Sequence, residues 1–298
     1  MIVTPSPGDS NNEIRLLRAF AQLWRPTLGI LAALAGCITI YALNWATQFQ
    51  QYLLTAIILI CTTSASFAID DYRDINQDRI NHPERPLPSG LLSPQQAWRS
   101  AVGLFACAWL AAIPLGLYPF ILVVVSTILL WNYSHILTYS GILGNAIVAA
   151  SVAELIFLGS LVAGRPLGML YPICFLFCYI LAKEIIWDVH DAEGDRTQNI
   201  VTIVNRWKPQ TAFAIAWGLL GMLVISIPIA FWLLPMSHPY LFIIFSPIVP
   251  LSFGIPLISY QQQPSLKAYQ RLSHWGRIGM LLGVIGLLGA AAPIAIVN

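Results

Sequence analysis

The sequence predicts an all-α, polytopic membrane protein with about nine transmembrane helices around a central cavity. The 298 residues are 57% hydrophobic and only 9% charged, and the mean hydropathy is +0.72. A soluble domain carries about 25% charged residues, so lipid must replace water over most of this exterior. Long apolar runs also recur between short polar breaks, and the basic residues concentrate on one side of those runs.

Nine apolar runs have about the length that a helix needs to cross the hydrocarbon core. The run at 118–135 is marginally short. Residues 1–14 are polar and are predicted to form a disordered lead-in to a single transmembrane domain that covers 1–298. The predicted spans are 27–46, 51–71, 96–114, 118–135, 142–163, 167–188, 210–233, 240–260 and 275–297.

The basic residues test this count independently. When the nine spans alternate in direction, one side of the membrane receives every Lys and Arg of the 15 except Arg165. Such asymmetry is typical of cytoplasmic loops and predicts a cytoplasmic N-terminus. The breaks after spans 2, 6 and 8 then also lie in the cytoplasm. The net charge is only +2, which gives no general case for a nucleic-acid partner.

The acidic residues are concentrated in two short windows, 70–84 and 184–195, which hold all but three of the 13 Asp and Glu. Each window lies at the cytoplasmic end of a predicted helix. Both contain three aspartates at positions i, i+3 and i+7, which fall on one helical face within about 60°. The repeat suggests an internal duplication. The first cluster is Asp71, Asp74 and Asp78, and the second cluster is Asp188, Asp191 and Asp195.

Clustered carboxylates repel one another unless a cation neutralises them. Their oxygen atoms suit Mg²⁺, which commonly bridges carboxylates to substrate phosphates. His190 lies between Asp188 and Asp191, and one His among many Asp does not indicate zinc. The alternative is that both clusters are solvated residues at helix ends. Two matched clusters that hold most of the acids in the chain argue against that interpretation.

The two windows carry a family resemblance. Residues 70–78 resemble the first signature of the UbiA-type prenyltransferases, Asn-Asp-x-x-Asp-x-x-x-Asp, and residues 80–90 resemble its extension, Ile-Asn-x-Pro-x-Arg-Pro-x-Pro-Ser-Gly. Residues 191–195 resemble the second signature, Asp-x-x-x-Asp. Shorter segments at 24–26, 133–134 and 144–145 also resemble the family.

The resemblance implies an enzyme that moves a polyprenyl group from its diphosphate to a lipid-soluble acceptor within membrane lipid. It implies one Mg²⁺ held by the first cluster and another by Asp191 and Asp195, with Asp188 extending the second cluster. The candidates to bind the diphosphate are Arg25, Arg79, Arg85 and Lys183. Candidates to line the acceptor pocket or stabilise an allylic cation are Tyr133, Asn145, Tyr179, Trp131 and Trp187; for the aromatic side chains, lipid-facing or core packing is the alternative.

Two positions depart from the family pattern. Asp70 replaces the leading Asn. Its extra negative charge would tighten metal binding, or its side chain would point away from the metal as a surface residue. The segment after Tyr133 has no Lys or Arg, although the family often has a basic residue there. The diphosphate or the acceptor must then be held by other cations.

The acceptor and the class of protein stay open at this stage. The motifs resemble most the branch that serves glycerol ether lipids, chlorophyllide and homogentisate, with a preference for a glycerol-phosphate ether lipid precursor. Aromatic acceptors are the alternative. A transporter with acidic gates, for which Glu154 is the lone acid at mid-span, and a non-catalytic lipid-binding protein are the competing classes.

Overall fold

The computed structural model describes residues 7–197 and 201–293, and within these ranges every regular element is helical. This confirms the all-α prediction. A short 3₁₀ turn, Ile113–Leu115, extends the fifth helix. The helices are α1 Pro7–Trp24, α2 Pro26–Leu43, α3 Phe49–Arg73, α4 Ile75–Asn81, α5 Pro94–Ala112, α6 Leu117–Tyr139, α7 Gly141–Val162, α8 Leu170–Thr197, α9 Ile203–Arg206, α10 Pro209–Leu233, α11 Pro239–Phe245, α12 Ile248–Gln262 and α13 Leu266–Ala290.

Eight stretches in the described ranges are long and apolar enough to cross a membrane: α2, α3, α5 with its 3₁₀ turn, α7, α8, α10, α11 with α12, and α13. The remaining predicted span, 118–135, lies in α6, whose apolar stretch Leu117–Tyr133 is shorter. The prediction of about nine spans is therefore approximately right. Integral membrane placement follows from these helices.

Helix ends differ from the predicted boundaries in several places. α8 runs nine residues past the predicted end at 188, and both ends of the chain differ as well. Residues 7–14 of the predicted lead-in belong to α1, and residues 1–6 lie outside the described ranges. The last predicted span, 275–297, corresponds to α13, which begins nine residues earlier at Leu266 and ends at Ala290. Its first turns are polar, with Lys267 and Arg271 exposed. A prediction from hydropathy alone therefore places the first residue of this helix too late in the chain.

Local sequence explains several helix starts. Ser93 caps α5, since its hydroxyl accepts from the Gln96 backbone amide while the Gln96 side chain accepts from the Ser93 amide. Proline occupies the first turn of α2, α5, α10 and α11. The missing proline N–H costs nothing there, because the first helical amides have no intrahelical partner.

The membrane helices close into a ring. Neighbours in sequence pack against one another from α2 round to α13, and α13 returns to pack against α2. Small residues allow the closest crossings. A Cβ added to Gly159 on α7 would stand 2.7 Å from the Gly36 carbonyl oxygen on α2, so only glycine fits this crossing. The ring surrounds a central cavity of about 630 Å³.

Candidate active site

The central cavity has one polar end and an apolar interior. The polar end lies where α3 and α8 end, and five carboxylates line the cavity: Asp70, Asp71, Asp74, Glu184 and Asp191. The interior is lined by aliphatic and aromatic side chains, among them Leu28, Leu31, Val148, Leu155, Phe175 and Leu287. This shape suits a ligand with an anionic head and a long apolar tail.

The first cluster is divided between two helices. α3 ends at Arg73, and Asp74 stands between α3 and α4 with φ −93° and ψ 15°. Asp71 therefore belongs to the last turn of α3, whereas Asp78 belongs to α4. The expectation that all three share one face of a continuous helix is wrong for this cluster, because the chain leaves the helical conformation at Asp74. Asp71 and Asp74 line the cavity, and Asp78 is buried beside it.

Two arginines neutralise the first cluster. Arg25 donates from Nη2 to Asp71 Oδ1 at 2.8 Å, and Arg85 donates from Nη1 to both oxygens of Asp78 at 2.7 and 2.8 Å. The same Arg85 nitrogen lies 3.4 Å from Asp71 Oδ1. Burial raises the pKa of the Asp78 carboxyl above its usual value, and the Arg85 charge opposes that shift. Both arginines line the cavity, as their predicted role requires.

Arg25 is held in an unusual backbone conformation. It joins α1 to α2 with φ 47° and ψ 57°, and among the described residues it is the one non-glycine residue with positive φ. Left-handed backbone at an ordinary residue costs free energy and persists where the surrounding contacts require it. Here the Asp71 ion pair and the face of the Phe67 ring, 4.3 Å from the guanidinium carbon, hold the side chain.

The other predicted cations separate into two groups. Arg79 is exposed and donates to the Asn76 side chain at 3.2 Å, away from the cavity. Lys183 lines the cavity, with Nζ 5.4 Å from the centroid of the Trp187 ring. Arg277 on α13 also lines the cavity and was not predicted. Its signal in the sequence is a cation inside the predicted span 275–297, a position that usually marks a functional site.

The second cluster lies on one unbroken helix, since α8 continues to Thr197. Only Asp191 of the three lines the cavity. Asp188 accepts from Asn145 Nδ2 at 2.9 Å, and Asp195 accepts from the side-chain amide of Gln77. The predicted residue Asn145 is therefore a partner of Asp188 and does not line the cavity.

The two clusters face each other at the same end of the ring. His82 Nε2 lies 3.4 Å from Asp191 Oδ1, and Asn81 donates to the Asp191 carbonyl at 3.2 Å. Together with the Gln77–Asp195 bond, these contacts join α4 to α8. Gly194 permits the approach, because a Cβ there would collide with the Asn81 amide.

The donors at this end of the cavity fit a hard cation shared with a phosphate ligand. Among the described side chains, two buried carboxylate oxygens, Asp70 Oδ1 and Asp191 Oδ1, accept no hydrogen bond, and the nearest cationic group to the latter is His82 at 3.4 Å. No group of three His, Cys, Asp or Glu residues in the described ranges could enclose a metal by itself. Mg²⁺ does not require such a cage, since it commonly takes one or two carboxylates and completes its shell with phosphate and water.

The aromatic candidates also divide by position. Tyr133 and Trp187 line the cavity. Tyr179 is buried against Phe253, with ring centroids 6.0 Å apart, and its hydroxyl donates to the Gly276 carbonyl at 3.4 Å. Trp131 packs between helices beside Phe105. The side chains at 134, 135 and 137–139, where the family often has a basic residue, lie outside the described part of the structure.

Tyr269 was missed by the sequence reasoning. It lines the cavity from α13 and stacks on His190 at 3.6 Å with 9° between the rings. No local motif marks it, because its position depends on the packing of α13 against α8. Glu154, the mid-span acid, accepts a hydrogen bond from Ser126 on α6 and does not line the cavity.

Comparison with known families decides what this site belongs to. The model of the UbiA prenyltransferase family matches residues 28–292. The chain belongs to the UbiA prenyltransferase family. The prenyltransferase interpretation is thereby confirmed over the transporter and the non-catalytic protein.

Individual relatives agree with the family. Digeranylgeranylglyceryl phosphate synthase from Sulfolobus acidocaldarius is 33% identical over 183 residues, which are 61% of this chain and 66% of that protein. The enzyme of the same name from Saccharolobus solfataricus is 26% identical over 93% of this chain and 98% of its own length. A solved UbiA homologue from Archaeoglobus fulgidus bound to GPP and Mg²⁺ has the same fold, with TM-score 0.72 at 17% identity over 90% of this chain and 98% of that one.

Proposed function

We propose that this UbiA-family enzyme moves a polyprenyl group from its diphosphate to a glycerol-phosphate ether lipid precursor, with Mg²⁺ as cofactor. The observation that carries the proposal is the cavity with carboxylates and arginines at one end and an apolar interior beyond them. The names of the relatives from Sulfolobus acidocaldarius and Saccharolobus solfataricus, digeranylgeranylglyceryl phosphate synthase, support this acceptor.

The donor's diphosphate would lie at the polar end. Arg25 and Arg85 line the cavity there, and each is already aligned by a carboxylate of the first cluster. A guanidinium that is fixed in place loses little entropy when it binds phosphate oxygens. Arg25 and Arg85 would therefore bind the diphosphate and stabilise the charge that grows on it as the carbon–oxygen bond breaks.

Mg²⁺ would be held by Asp70, Asp71, Asp74 and Asp191, which line the cavity. Bound there, the ion would supply Lewis-acid stabilisation to the leaving diphosphate. Asp78, Asp188 and Asp195 do not line the cavity, so we assign them supporting roles. Asp78 fixes Arg85, Asp188 is fixed by Asn145, and Asp195 fixes Gln77 at the contact between α4 and α8.

The polyprenyl chain would occupy the apolar interior and exclude water from the reacting carbon. Breaking the allylic carbon–oxygen bond leaves positive charge on that carbon. The faces of Tyr133 and Trp187, which line the cavity, would stabilise this charge by cation–π attraction. The acceptor hydroxyl would then donate its oxygen lone pair to the carbon, and its proton would pass to the departed diphosphate.

We also propose that the N-terminus and the polar end of the cavity face the cytoplasm. All but one of the 15 Lys and Arg residues fall on that side when the helices alternate. A cysteine-accessibility experiment tests this assignment. A cysteine introduced at Glu13 should react with an impermeant reagent only in inside-out vesicles, whereas one at Gly164, after α7, should react only from the other side.

The proposed function is tested by a substrate screen in membranes that contain the chain. Prenyl diphosphates of several lengths are paired with a prenylglyceryl phosphate and with aromatic acceptors such as homogentisate or hydroxybenzoate. Transfer to the glyceryl phosphate that depends on Mg²⁺ is the expected result. Transfer to an aromatic acceptor alone would reject the acceptor assignment, and absence of transfer with every pair would reject the proposed activity.

A further inference from the structure

The cavity contains a second pair of cations that the donor's head group does not need. Besides Arg25 and Arg85, the Lys and Arg residues that line the described cavity are Lys183 on α8 and Arg277 on α13. The segment after Tyr133 has no Lys or Arg. The second pair comes instead from α8 and α13.

The second pair lies deeper than the metal-binding carboxylates. Lys183 precedes Asp191 by eight residues on the same helix, which is about 12 Å along the helix axis. On α13, Tyr269 stacks on His190, the neighbour of Asp191, and Arg277 follows Tyr269 by eight residues, again about 12 Å along the helix axis. A cation at such depth is costly unless it faces a cavity or a partner, so its presence usually marks a binding function.

Lys183 and Arg277 lack the carboxylate partners that the first pair has. Within residues 7–197 and 201–293 neither forms an ion pair, whereas Arg25 and Arg85 both pair with the first cluster. The side-chain hydrogen bond of Arg277 runs from Nε to the Ser273 carbonyl at 3.4 Å. The terminal nitrogens of its guanidinium therefore stay available to a ligand.

The two pairs have different nearest charges, although Glu184, which also lines the cavity, interacts with both Lys183 and Asp191. The charges that act on Lys183 are those of Glu184, the next residue in the chain, and Arg277. Those that act on Arg25 come from Asp70, Asp71, Asp78 and Arg85. Lys183 and Arg277 thus form a local site with two positive charges and one negative charge. That balance is suited to an anion.

We propose that Lys183 and Arg277 bind the phosphate of the acceptor, apart from the diphosphate held by Arg25 and Arg85. This inference rests on the proposed function. The polyprenyl tail is apolar and offers a deep cation no partner, and the donor has a single diphosphate head. The second anion must then come from the other substrate. A phosphate monoester carries close to two negative charges at neutral pH, which a lysine and an arginine together neutralise.

Kinetics of Lys183→Met and Arg277→Met test the assignment. We expect the KM for a prenylglyceryl phosphate to rise about 10- to 100-fold in each variant, because a charge-assisted contact is lost. The KM for the prenyl diphosphate should stay within about twofold. Arg271→Met is the matched control: it removes a cation six residues earlier on α13 that does not line the cavity, and it should change neither constant. A rise in the donor KM with the acceptor KM unchanged would overturn the proposal, as would no change in either.

A binding measurement separates this inference from the proposed function. Purified protein in detergent, without donor, is tested for thermal stabilisation by dodecylglycerol phosphate and by dodecylglycerol. We expect stabilisation by the phosphate in the wild type and a loss of that preference in both Met variants. This result without any transfer activity would uphold the phosphate site and reject the proposed function. Transfer activity with the same preference retained in both variants would uphold the function and reject the site.

Correct folding of the variants is checked by their elution in gel filtration. If a Met variant is aggregated, Lys183→Gln and Arg277→Gln keep a polar group of similar length and replace it in both measurements. Lys183→Arg and Arg277→Lys retain the charge and should retain most of the preference for the phosphorylated ligand. Loss of that preference in these charge-retaining variants, with the fold intact, would contradict a charge-based site.

Discussion

The cluster at the end of α3 is bound by arginines, whereas the cluster at the end of α8 is bound by amides and a histidine. Arg25 and Arg85 pair with Asp71 and Asp78 within 3.4 Å. In the described residues no Lys or Arg pairs with the second cluster, whose partners are Asn145, Gln77 and His82. Identical spacing in the sequence therefore produces different electrostatic environments.

The difference in partners suggests a different role for each cluster. Arginines beside carboxylates provide positive charge that can also reach a diphosphate, so the first cluster is arranged to hold the donor's head. Neutral amides orient a carboxylate without cancelling its charge. The second cluster thus retains more of its attraction for a cation, and within the described residues Asp191 Oδ1 is buried without a hydrogen bond, with His82 Nε2 at 3.4 Å.

The largest loss of activity is expected when Mg²⁺ or one of its proposed ligands is removed. Chelation of Mg²⁺ and the substitution Asp191→Asn should each lower diphosphate release by about 10³-fold, because stabilisation of the leaving group is lost. Release of labelled diphosphate from the donor measures this. Glu193→Gln, an exposed acid on the same helix, is the control and should stay close to wild type. Retention of a large part of the activity by Asp191→Asn would reject Asp191 as a ligand.

A smaller but specific effect is expected for the arginines of the first cluster. Arg85→Ala should raise the donor KM about 10- to 100-fold, since a charged contact to the diphosphate is lost. It should also lower the melting temperature, because Asp78 is left as a buried carboxylate without its partner. Arg79→Ala is the matched comparison, since Arg79 is exposed and bonds only to Asn76. Equal effects of Arg85→Ala and Arg79→Ala would contradict direct binding of the diphosphate by Arg85 and would show that only the total positive charge near the site matters.

The sequence predicts those parts of the site that depend on neighbouring residues in the chain, and it does not predict those that depend on packing between distant helices. Helical type, membrane spans and the two clusters follow from composition and spacing, which are local properties. The break at Asp74 does not follow from the sequence, because the i, i+3, i+7 spacing is the same whether the three aspartates lie on one helix or on two. Arg277 and Tyr269 reach the cavity only through the packing of α13 against α2 and α8, which no local motif encodes. Tyr179 is an ordinary aromatic in the sequence, and its burial against Phe253 is equally non-local.

The partner of Asp188 tests the second half of the comparison. Asn145→Leu should lower turnover about tenfold, because second-shell partners orient the groups that bind a metal. Asn145→Asp should lower it further, since a carboxylate in place of the amide repels Asp188. Turnover at saturating donor and acceptor is the measurement, with Asn76→Asp, an exposed change on α4, as the control. Wild-type turnover in Asn145→Asp would show that Asp188 has no role in orienting the second cluster.

The smallest effect is expected for Asp70, the acid that distinguishes the first cluster from the family pattern. Asp70 lines the cavity, its Oδ1 is buried with no hydrogen-bond partner among the described side chains, and the charges of Asp71 and Asp74 act on it. Asp70→Asn removes one negative charge near the metal while keeping the shape of the side chain. The half-saturating Mg²⁺ concentration should therefore rise about two- to fivefold, with turnover at saturating Mg²⁺ unchanged.

A Mg²⁺ titration of turnover measures the effect of Asp70→Asn, and Glu13→Gln on α1 controls for loss of an exposed charge. A fall in turnover as large as that of Asp71→Asn would make Asp70 a principal ligand, and the Mg²⁺ site would then take three carboxylates from residues 70–74 and one from α8. An unchanged Mg²⁺ titration would mean that the ion lies beyond the reach of Asp70. The asymmetry between the clusters would in that case rest on Arg25 and Arg85 alone.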